Sequence, residues 1–156
     1  MEKDDKRRAS SGLSANWAGR SLRTIGRFLW YWLPPVAWMA MIFALSHEPN
    51  LPAPPGPLLD TLVMKTCHVI TYGVLAWLFW RALRQHADGS PLLRVVSVGL
   101  AVLYGMSDEY HQSFVPGRYG RLWDVVIDGG GAVVAMLLDW WRARRRALSR
   151  QTPATR

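Results

Sequence analysis

Asp108, Glu109 and His111 stand close together inside the run Ser107-Asp108-Glu109-Tyr110-His111-Gln112-Ser113-Phe114-Val115-Pro116-Gly117-Arg118, and Asp124 and Asp128 follow soon after. Carboxylates beside an imidazole suit general acid–base chemistry, because imidazole exchanges its proton near pH 6.5. His68 supplies a second proton carrier from an earlier segment. Asp108, Glu109, His111 and His68 are therefore the candidate proton-transfer residues. Lys65 and Arg118 can hold the phosphate or carboxylate of a lipid-linked substrate. Tyr72, Gln112, Asp124 and Asp128 complete the candidate binding set. Two other readings use the same residues. One is a salt-bridge network that sets helix register, with Arg118 on Asp124 or Glu109 and Lys65 on Asp108 or Asp128. The other is ligand binding without chemistry. His68, His111 and the carboxylates carry metal-donor atoms, but their spacing is not that of a compact metal motif. No metal and no cofactor is expected. Neither Ser46 nor Ser107 lies in a nucleophile-elbow sequence.

These charges lie in the apolar half of a 156-residue chain, half of it hydrophobic and with nine Trp. The apolar residues gather into four blocks, Phe28–Leu45, Leu62–Leu83, Leu92–Met106 and Val125–Trp141. With its flanks each block reaches about 17–22 residues, near the roughly 30 Å hydrocarbon thickness at about 1.5 Å per residue. The pattern predicts an all-α integral membrane bundle of four transmembrane helices. A signal peptide fits poorly, since the first block is long, contains Pro34-Pro35 and lacks a small-x-small cleavage site.

The net charge of +8 raises nucleic acid as a partner, but its distribution argues for a membrane. Lys3, Lys6, Arg7, Arg8, Arg20, Arg23 and Arg27 precede the first block, Arg81, Arg84 and Arg94 flank the second connection, and an Arg-rich tail follows the last. These three regions share one side of a four-span chain. That is the positive-inside pattern, which puts both termini in the cytoplasm. The expected partners are membrane lipids or a lipid-linked envelope precursor, with no nucleic acid. One cysteine, Cys67, excludes an intramolecular disulfide and reads as a packing residue.

Residues 1–27 read as a basic cytoplasmic tail, mobile or interfacial, 28–141 as the membrane domain, and 142–156 as an Arg-rich cytoplasmic tail, disordered at its end. Pro34-Pro35 should kink or restart the first helix. The Pro-rich connection Asn50–Leu59 should be extended, with Asp60-Thr61 capping the second helix. Lys65, His68 and Tyr72 share one helical face. So can Asp108, His111 and Gln112, while Glu109 points about 100° away. Val115-Pro116-Gly117 ends the third helix. Gly99, Gly105 and Gly129-Gly130-Gly131 permit close helix packing, within the chain or between copies. His47 reads as a water-facing loop-edge residue. In a bundle, the unusual polar residues gather at the outer ends of the four spans, where their faces can make one outward-opening cavity. Exposure to lipid would cost each charge roughly 2.5–3.5 kcal/mol at mid-membrane.

The run Asp108-Glu109-Tyr110-His111-Gln112, then Phe114-Val115-Pro116-Gly117-Arg118, then Asp124, resembles the signature of the VanZ-like family of bacterial membrane proteins. Lys65, His68 and Tyr72-Gly73 with Leu75 match it too, as does Leu45-Ser46 before a Pro-rich loop. The resemblance covers about Leu33 to Ala135. Asp128-Gly129 stands where the family shows an Asn before its glycine, which adds an acid. The resemblance implies a four-span bundle in the bacterial plasma membrane, whose namesake is associated with low-level teicoplanin resistance. The expected function is handling or modifying a cell-envelope component, with an effect on glycopeptide susceptibility. The alternative is a non-enzymatic envelope-binding or assembly protein whose polar cluster is structural.

Overall fold

A computed structural model describes the backbone of residues 2–48, 56–85, 87, 90–118 and 120–151, and side chains within those ranges from residue 23 onward except at 57 and 151. The described residues form four helices, α1 (Glu2–His47), α2 (Pro57–Leu83), α3 (Pro91–Gln112) and α4 (Leu122–Gln151). The chain divides into two compact units at Pro34–Pro35.

In the first unit, residues 1–34, the backbone of the basic N-terminal stretch is helical from Glu2. Phe28 and Trp32 stack at 6.0 Å. Ile25, Phe28, Leu29, Trp30 and Leu33 are exposed. The expected restart at Pro34-Pro35 does not occur, and α1 continues to His47.

In the second unit, residues 35–156, α2, α3 and α4 pack together, and the last turns of α1 are joined to α2 and α3. Leu75, Ala76, Ala101 and Ala132 are fully buried, with Tyr72, Phe79, Trp80 and Met136 around them. Two aromatic donors tie α1 to its neighbours: Trp38 Nε1 donates to the Thr71 carbonyl at 3.0 Å, and Tyr104 OH to the Met39 carbonyl at 2.6 Å. Each half-buried ring lies against a neighbouring helix with its polar end satisfied. At the far end of the bundle Arg94 binds Asp139 at 2.9 Å, joining α3 to α4.

Small residues set the α2–α4 distance. A Cβ on Gly131 would collide with the Val69 backbone, and one on Gly73 would lie 3.1 Å from the Gly131 carbonyl oxygen. Gly105 makes room for the Tyr72 ring, which a Cβ would meet at 3.2 Å. Gly99 departs from expectation: nothing lies within 4 Å of its Cβ position, so it faces no helix.

The helix starts also differ from expectation. Pro57 opens α2 three residues before Asp60, with Gly56 at its cap in a positive-φ conformation (φ 99°). Proline suits a first helical position, where its missing N–H is not needed. Asp60 lies in that first turn rather than at the cap. Residues 50–55 of the Pro-rich connection lie outside the described residues. Ser90 caps α3, accepting from the Leu92 amide at 3.3 Å. Beyond Arg142, α4 stays helical to Gln151. Arg144 lies over Trp140 and Arg145 over Trp141, at 5.4 and 3.8 Å, each pair one turn apart. Such cation–π pairs, with arginines toward the negative helix end, extend the helix past its apolar part.

Among the described residues three helices are long and apolar enough to cross a membrane: Arg23–His47, Leu58–Leu83 and Pro91–Gln112. Large apolar side chains cover their outer faces, including Ile70, Val95, Leu103 and Met106. A surface of that kind suits lipid contact.

Candidate functional site

Asp108 is the point where three helices exchange hydrogen bonds. It lies in the last turns of α3 and is 3% exposed. Its Oδ2 accepts from Ser46 Oγ of α1 at 2.8 Å, from Tyr72 OH of α2 at 3.3 Å, and from Gln112 Nε2 at 3.0 Å. Gln112 also donates to Ser46 Oγ at 3.1 Å. The i, i+4 spacing on α3 brings Asp108 and Gln112 together. The other oxygen, Oδ1, is buried with no partner among the described residues. Ser46 is thus an acceptor and donor within this group, and its place in the last turn of α1 beside the Leu45-Ser46 match was the signal for it.

A second group joins α2, α3 and α4. His68 Nδ1 lies 2.9 Å from Asp128 Oδ1. Asp128 is 1% exposed, and its Oδ2 has no partner among the described residues. Glu109 enters from α3: one donor atom each from His68, Glu109 and Asp128 lies within 4.8 Å of the others. Glu109 Oε2 also accepts from the Arg121 amide at 2.7 Å, just before α4. The segment between α3 and α4 folds closely over α3, since a Cβ on Gly120 would collide with the Glu109 carbonyl.

His111 does not join Asp108 and Gln112. It turns toward α1, where its Nε2 lies 3.3 Å from His47 Nδ1 and its ring 4.5 Å from that of Phe43. Helical periodicity permits a shared face, but the ring finds its packing partners on the neighbouring helix. His47 is exposed, yet it is paired rather than simply water-facing.

The expected cation pairs are not those observed. Arg118 donates to backbone carbonyls at the end of α1, from Nη2 to Leu45 at 3.0 Å and to Glu48 at 2.9 Å, and from Nε to Glu48 at 3.2 Å. Terminal helix carbonyls lack intrahelical donors and carry the negative end of the dipole, so they compete well for a guanidinium. Lys65 is exposed and makes no ion pair or hydrogen bond among the described residues. It sits one turn nearer the start of α2 than His68, where its long side chain is left uncovered by the other helices. Asp124 is half-buried in the first turn of α4 and its carboxylate forms no ion pair among the described residues.

A cavity of about 110 Å³ opens between α1, α2 and α3. Ser46, His68, Tyr72, Asp108 and Gln112 give it polar groups, Ile42, Leu45 and Met64 give it apolar walls, and Arg118 reaches it as well. Cys67 lines it and is exposed, contrary to the packing role expected of it. Its spacing with Met64 and Thr71, beside the His68–Tyr72 stripe, was the signal for this lining face. An imidazole oriented by a buried carboxylate, as His68 is by Asp128, can move a proton at its other nitrogen.

A helical protein with lipid-suited outer faces and acids held between its helices belongs to the class of membrane proteins with a built polar interior. The chain belongs to the VanZ/LLP1 family, whose model matches residues 10–142. No curated protein and no solved structure matches the chain.

Proposed function

We propose that this protein spans the bacterial plasma membrane four times with both termini in the cytoplasm, and that its cavity opens outward to bind the polar head of a lipid-linked cell-envelope component. The observation that carries the reading is Asp108: a buried carboxylate that lines the cavity with one oxygen saturated and the other free of any partner among the described residues. A buried acceptor left unsatisfied costs on the order of 1–3 kcal/mol, and a hydroxyl or ammonium of a ligand would satisfy it. Apolar walls beside that acceptor suit an amphiphile. For a fourth span, Asp128 and Asp139 of α4 are both paired inside the protein, which leaves its apolar residues to face lipid. Basic residues at the cytoplasmic ends support the orientation. An effect on glycopeptide susceptibility follows where the bound component is the glycopeptide target or its precursor.

The rival is a non-enzymatic assembly protein whose polar cluster holds the helices together and binds no envelope component in the cavity. It draws on the same aspartate, since Asp108 bonds residues of α1, α2 and α3 at once. Asp108→Asn separates them. Wild-type and variant protein are purified from membranes, their abundance compared, and their co-purifying lipids analysed by mass spectrometry. The proposed reading expects a lipid-linked envelope precursor with wild type and its loss in the variant at unchanged abundance. Abundance falling in step with bound lipid supports the rival.

A further inference from the structure

We propose that His68, Glu109 and Asp128 form a site for one divalent transition-metal ion, with zinc the ion its donors suit best. One imidazole and two carboxylates offer a nitrogen and two oxygens, a set that zinc accepts and that leaves a fourth position for water. The donors lie within 4.8 Å of one another. Around tetrahedral zinc, with bonds of about 2.1 Å, donors stand about 3.4 Å apart, so the group needs to draw in by no more than about 1.4 Å. The ligands come one each from α2, α3 and α4, which explains why no local spacing motif announces them.

Two independent observations point to a cation. Asp128 is 1% exposed, and its Oδ2 has no partner among the described residues. Charge balance gives the other. Asp108, Glu109 and Asp128 are all buried, and among the described residues His68 is the sole ion-pairing partner of the three. Arg118 is engaged by backbone carbonyls and Lys65 is turned outward. Buried carboxylates without counter-charge cost several kcal/mol each. A dication between Glu109 and Asp128 supplies that charge and takes the position between His68 and Asp128 now bridged by a hydrogen bond.

The proposal goes beyond headgroup binding and is tested without any lipid ligand. The full-length protein in detergent is stripped with a chelator, equilibrated with zinc or magnesium, desalted, and its metal content and thermal midpoint measured. About one zinc per chain is expected, with a higher midpoint that chelation reverses and magnesium does not reproduce. Asp128→Asn and His68→Gln should each lower zinc retention at least about tenfold. Glu109→Gln should do the same while its amide oxygen still accepts from Arg121, which guards against a variant that fails to fold. His47→Ala, which removes the other paired histidine, should retain the metal. Wild type without zinc, equal retention by Glu109→Gln, or loss in His47→Ala alone overturns the site.

Discussion

His68 and Asp128 meet at 2.9 Å beside a close approach of the α2 and α4 backbones at Val69 and Gly131. Val69, the next residue after His68, faces Gly131, one turn beyond Asp128. The absence of a side chain at Gly131 and the reach of the imidazole to the carboxylate are therefore one geometric fact. The helices must touch through backbone for so short a bridge to form between them.

Gly131→Ala should part the helices, because the backbone of Val69 cannot yield as a flexible side chain would. Overpacking of this kind costs about 1–3 kcal/mol. Gly130→Ala is the matched control, since nothing lies within 4 Å of its Cβ position. Removing a glycine from a helix there should be neutral or stabilising by about 0.5–1 kcal/mol. Thermal unfolding in detergent, read by fluorescence size-exclusion, distinguishes them. Equal behaviour of the two variants contradicts the close α2–α4 contact.

Breaking the His68–Asp128 pair from one side should already carry much of the cost of removing both charges. His68→Leu leaves a carboxylate that is 1% exposed without its ion-pair partner, a loss on the order of 3–5 kcal/mol. In the double variant His68→Leu/Asp128→Leu no charge is stranded, so its loss should fall below the sum of the singles by about 1–3 kcal/mol. Additive losses in denaturant titrations would mean the two groups do not interact.

The helices were legible because hydrophobic blocks and proline positions are local signals. Pro57 and Ser90 nevertheless moved the starts of α2 and α3 into residues that composition alone reads as loop. The charged ends proved harder. Glu2 to Arg27 and Arg142 to Gln151 look like tails by polarity, yet the backbone of both stretches is helical. At the site, a helical wheel grouped Asp108 with Gln112 correctly and His111 with them wrongly. Its Cβ direction follows from periodicity, but its ring orientation depends on Phe43 and His47 of another helix. Arg118 followed the same logic: its acidic neighbours in sequence lost to backbone carbonyls some 70 residues away.

The proposed orientation can be read at Cys67, the single cysteine of the chain. Its thiol is exposed and lines the cavity that holds Asp108. If that cavity opens outward, a membrane-impermeant cationic methanethiosulfonate added outside spheroplasts should modify Cys67, and Cys67→Ser should abolish labelling. The buried carboxylate should draw the cationic reagent inward, so Asp108→Asn should slow it on the order of threefold to tenfold relative to a neutral reagent of similar size. An unchanged ratio would mean that the reagent does not sense Asp108 on its way to the thiol. Labelling only after the cytoplasmic face is opened would reverse the orientation of the cavity and remove the outer leaflet as the source of its ligand.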